Sequence, residues 1–62
     1  MKVIELTQAE TGKRIMVNIE DISMVNEFDN SCEIELISGG ITYVSEAYDV
    51  IFEKLDRIIL MI

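Results

Sequence analysis

The sequence contains no histidine, no proline and no tryptophan, and it has a single cysteine, Cys32. Metal centres and nucleophile–base pairs lean on histidine or on several cysteines, so the commonest routes to both are closed, and no metal or cofactor is expected. One thiol cannot form an internal disulfide, which fits a reducing compartment. Positive charge is also scarce. Five Lys and Arg stand against twelve Asp and Glu, giving a net charge of -7 and a pI near 4.2. A phosphate backbone would be repelled over most of such a surface, so nucleic acid is not an expected partner. Long apolar runs are missing too. The longest, Ile58 to Ile62, has five residues, far below the ~20 of a membrane span. Met1 to Glu5 turns polar too early for a secretory leader, so a cytoplasmic location is the simplest expectation.

What is present is apolar residue, 50% of a chain of 62. That fraction is too high for a disordered segment. At this length only about 60% of the unfolded surface can be buried, which leaves room for one small domain and argues against a full active-site cleft. Alternating residues and turn signals predict an α+β fold: a small antiparallel sheet of four to five strands, arranged as a β-hairpin meander, with one C-terminal helix packed on it. Strands are expected near 2–7, 14–19, 23–28, 32–37 and 41–44. Gly12 is expected to supply a positive φ in the first hairpin, and Ser38-Gly39-Gly40 to turn the last one. Asn18 to Ile22 breaks the alternation and reads as one helical or 3₁₀ turn.

A helix is expected near 46–60, with Ser45 as its N-cap and Glu46 and Asp49 in its first turn. At about 100° per residue, Ala47, Tyr48, Ile51, Phe52, Leu55, Ile58, Ile59 and Ile62 fall on one broad stripe that should pack on the sheet. The sheet's inner face can be filled from Ile4, Leu6, Ile15, Val17, Cys32, Ile34, Leu36 and Tyr43. Apolar residues are left over. Val3, Met16, Val25, Ile37 and Val44 have the opposite strand parity, and Val50, Leu60 and Met61 lie on the polar side of the helix. Oligomerisation would cover them. An interface of ~800 Å² per protomer, a bit over half apolar, is on the order of 10 kcal/mol before entropic costs, more than the typical margin of so small a fold. The residues expected to form it are Met16, Val25, Val50, Ile58, Leu60, Met61 and Ile62.

Motifs with chemistry are few. Asp29-Asn30-Ser31-x-Glu33 lacks the spacing and glycine of a calcium loop, and Gly39-Gly40 neither opens a helix nor precedes a phosphate-binding lysine, so both read as turns. Lys13 and Arg14, with Lys2 across the hairpin, form the one basic spot; with Tyr43 or Tyr48 they are candidates for holding an anionic ligand such as a nucleotide, or an acidic patch of another protomer. The acidic helix side, Glu46, Asp49, Glu53 and Asp56, is a candidate docking face for a basic partner, or a decoy for a nucleic-acid-binding groove. No pair of carboxylates is marked for acid–base work, and enzyme activity is not expected. The leading expectation is a non-enzymatic, homo-oligomeric accessory module that binds another protein.

Val17, Asn18 and Ile22 form a V-N-x-x-x-I element between the second and third strands, Leu36 and Gly39 an L-x-x-G hairpin, and Val44, Glu46 and Ile51 a V-x-E-x-x-x-x-I approach to the last helix. In these three elements the chain resembles the FlbD/SwrD group of small flagellar and swarming-motility proteins. The resemblance spans most of the chain, which departs from the group at Gly40 and in its apolar tail. It implies no enzyme activity and no cofactor, and suggests an accessory factor acting by protein contact.

Overall fold

The computed structural model describes the backbone of residues 2–60 and the side chains of residues 2–59. Five strands, β1 (Val3–Thr7), β2 (Arg14–Asn18), β3 (Ile22–Glu27), β4 (Cys32–Leu36) and β5 (Ile41–Val44), precede one helix, α1 (Tyr48–Leu60). The fold is α+β, but the strands do not form the single sheet expected from the sequence. They form two antiparallel sheets, β1-β2 and β3-β4-β5.

Each sheet is made by turns that the residues dictate. Gly12 takes φ +72° at the end of the first hairpin, where its N–H donates to the Gln8 carbonyl and the Gln8 N–H donates to Lys13. Pairing of Thr7 with Arg14 and Val3 with Asn18 fixes the register. Lys2 therefore lies at the opposite end of the hairpin from Lys13 and Arg14, not beside them, and its carbonyl accepts from the Ile19 N–H. A single 3₁₀ turn, Ile19–Asp21, reverses the chain, with the Asn18 side chain accepting from the Glu20 N–H. Asp21 then reaches across to the β4-β5 hairpin, where it accepts from both the N–H and the hydroxyl of Ser38. In that hairpin Gly39 has φ +106°.

The two sheets meet at their ends. Gln8 bridges Val44, the Ala9 N–H donates to the Tyr43 carbonyl, and the Ser45 N–H donates to the Thr7 carbonyl. Glu46 completes the joint by accepting from the Thr7 N–H at 2.8 Å. This changes the start of α1. Ser45 and Glu46 are occupied with β1 and do not cap the helix, which begins at Tyr48, with the Ala47 carbonyl accepting its first hydrogen bonds.

The buried core is Ile4, Leu6, Val17, Cys32, Ile34, Val44 and Ile51, with Ile15, Ile19, Ile22, Val25, Leu36, Leu55 and Ile58 packed around it. Two strand faces differ from expectation. Val44 pairs with Cys32 and points inward, fully buried, while Tyr43 pairs with Glu33 on the outer face. Val25 pairs with Ile34 and packs on the core, so it is not a spare residue of the surface. The helix stripe is only partly covered. Ile51, Leu55 and Ile58 face the core, and the Lys54 ammonium donates to the Glu5 carbonyl at 2.8 Å, but Tyr48, Phe52 and Ile59 remain exposed. Among the described residues no helix is long and apolar enough to cross a membrane.

Candidate interaction surfaces

Three surfaces bring chemistry-bearing or apolar side chains together. The first is the partly covered flank of α1, on which Leu55 also packs against the core while Tyr48, Phe52 and Ile59 stand exposed. Tyr48, Phe52, Leu55 and Ile59 follow one another at spacings of four, three and four, the repeat that keeps a row of side chains on one line of a helix. Phe52 is 60% and Ile59 62% exposed. Beside this row, Val25, Tyr48, Ile51, Phe52 and Leu55 bound an apolar groove of about 160 Å³ between β3 and the helix.

The second surface is the outer face of β3-β4-β5. Strand alternation sends Ile34 and Cys32 inward and Glu33 and Glu35 outward on β4. The Asn26 amide donates to both carboxylates at 2.9 Å, and the Tyr43 hydroxyl donates to Glu33 at 3.0 Å. That hydrogen bond, and the charge of Glu33, push the Tyr43 hydroxyl pKa up. The Tyr43 ring lies against Phe28 with centroids 6.1 Å apart. Met24 and Ile41 are also exposed on these strands. The face is thus apolar at its margins and anionic at its centre.

The third surface is the basic spot. Lys13 and Arg14 sit side by side at an open hollow of about 630 Å³, together with Glu5, Gly12, Ile15 and Met16. Glu5 approaches Arg14 at 3.9 Å, both well exposed, so one cation is partly offset. Tyr43 does not line this hollow, and Tyr48 belongs to the helix groove.

Of the residues expected at an interface, Met16 and Val50 are exposed, whereas Val25 and Ile58 pack against the core. The Leu60 side chain, Met61 and Ile62 lie outside the described residues. The helical pattern places Phe52 and Ile59 on the packed stripe, but they stand in the open. Periodicity gives a stripe its width and cannot say how much of that width a small sheet will cover. Cys32 is buried, and loss of hydration followed by the nearby carboxylates of Glu27 and Glu46 pushes its thiol pKa up, the reverse of an activated nucleophile. Among the described residues no group of three His, Cys, Asp or Glu side chains converges as for a metal. Comparison with protein families, with curated proteins and with solved structures returns no match.

Proposed function

We propose that the protein is a non-enzymatic module that associates with copies of itself and acts as an accessory factor by contact with another protein. The observation that carries this reading is the row Tyr48, Phe52, Leu55 and Ile59, apolar along its length and covered only on one side. Two such rows laid against each other bury aromatic and branched side chains in the manner of a helix pair. The groove beside Val25 offers a recess for an aromatic ring of the second copy. The resemblance to the FlbD/SwrD group supports an accessory rather than a catalytic role.

Size-exclusion chromatography with light scattering tests it. The expected species is a multiple of 7.1 kDa, converted to monomer by Phe52→Ser with Ile59→Ser while the circular dichroism spectrum is retained. A monomeric wild type at high micromolar concentration overturns the reading. The alternative, an oligomer holding an anionic small molecule such as a nucleotide, draws on Lys13 and Arg14 at one hollow. It ranks second because Glu5 shares that hollow, and a thermal-shift screen without stabilisation by nucleotides removes it.

A further inference from the structure

The distribution of charge along the chain is uneven in a way the fold makes consequential. Between residues 15 and 53 there is no Lys or Arg, so nothing from β3, β4 or β5 offsets Glu33 and Glu35. These two carboxylates are held on the outer sheet face by Asn26 and Tyr43, with Met24 and Ile41 exposed at the margins. The complementary surface is on the first hairpin. Lys13 and Arg14 are exposed there, and Met16, 77% exposed, follows on the same face of β2 as Arg14. Among the described residues Arg14 is engaged only by its loose approach to Glu5. One molecule thus carries both a cationic edge with an exposed methionine and an anionic face with exposed apolar margins.

We propose that the Lys13, Arg14 and Met16 edge of one copy docks on the Glu33 and Glu35 face of another. The inference rests on the reading that copies associate, and it adds a second contact of a different physical kind from the helix flank, one that tightens the assembly without holding copies together alone. The cations meet carboxylates that are already oriented, and Met16 meets the apolar margin. Because the two patches are different surfaces, the contact is head-to-tail, and repeating it closes a ring or extends a chain of copies. Each copy carries a net charge of -7. Salt therefore screens a long-range repulsion as well as the contact itself, and a salt titration mixes the two.

Charge reversal separates them. Lys13→Glu with Arg14→Glu, and separately Glu33→Lys with Glu35→Lys, are compared alone and mixed by sedimentation velocity, with circular dichroism as the check on folding. Each variant alone is expected to lose at least about tenfold in association affinity, and the mixture to recover it. Glu33→Gln with Glu35→Gln keeps acceptor oxygens for Asn26 and Tyr43, and is expected to show the same loss where the reversed pair does not fold. Unchanged association of Lys13→Glu with Arg14→Glu, or a mixture that does not recover, overturns the proposal. If Phe52→Ser with Ile59→Ser still yields monomers in that case, association through the helix stands without it. Loss on neutralising Glu33 and Glu35, but not on reversing Lys13 and Arg14, assigns the face to a cationic group of this chain other than Lys13 and Arg14, and also overturns the proposal. A monomeric wild type removes both contacts.

Discussion

Glu46 shows what one side chain does in so small a protein. It accepts from the Thr7 N–H, 39 residues away in sequence, and so helps to join the two sheets. Removing it leaves a part-buried N–H without its partner. Glu46→Ala is expected to cost about 1–2 kcal/mol by urea denaturation, and Glu46→Gln, which keeps an oxygen acceptor, less. Cys32 gives a pH-dependent outcome. Its folded thiol pKa lies above the ordinary 9.0 because burial and then Glu27 and Glu46 disfavour the thiolate. The unfolded thiol ionises first, so this group's contribution to stability is complete below about pH 9 and is lost as pH rises toward the folded pKa. Denaturation midpoints should fall more steeply above that pH in wild type than in Cys32→Ala. Burial of Cys32 was readable from its parity with Ile34 and Leu36; the task of Glu46 was not, because a carboxylate before a helix suits an N-terminal turn equally well and its partner is remote in sequence.

Among the elements, the hairpins were the most legible. Gly12 and Gly39 sit at the turns the sequence marks, both with positive φ and with open space where a Cβ would stand. Gly39→Ala is therefore a pure backbone test, expected to destabilise by roughly 1–2 kcal/mol without a steric clash. Strand β5 was less legible. Ile41-Thr42-Tyr43-Val44 has only four residues, all β-formers, so alternation does not say which face is inward, and burial of Val44 follows from its place opposite Cys32. The helix divides into two rows with different mutational signatures. Ile51→Ala empties a fully buried site and should cost ~2–5 kcal/mol, a large part of the roughly 3–9 kcal/mol available to a chain of this length. Replacing exposed Phe52 should change association far more than it changes the fold of a single copy.

For the molecule as a whole, the proposed self-association would tie stability to concentration. The thermal midpoint is expected to rise with protein concentration in wild type and to become independent of it in Phe52→Ser with Ile59→Ser. The two-sheet arrangement bears on how the chain reaches its native state. Each sheet pairs strands that are neighbours in sequence, β1 with β2 and then β3 with β4 and β4 with β5, so every ladder closes only a short loop. Among the described residues the backbone closes its longest loop where Thr7, Gln8 and Ala9 meet Tyr43, Val44 and Ser45, with Glu46 on Thr7 and Lys54 on Glu5 reinforcing it. The barrier to assembly should then be crossed with the hairpins formed and this seam still open. In stopped-flow chevrons, conservative substitutions at the seam would speed unfolding while leaving the refolding limb nearly in place.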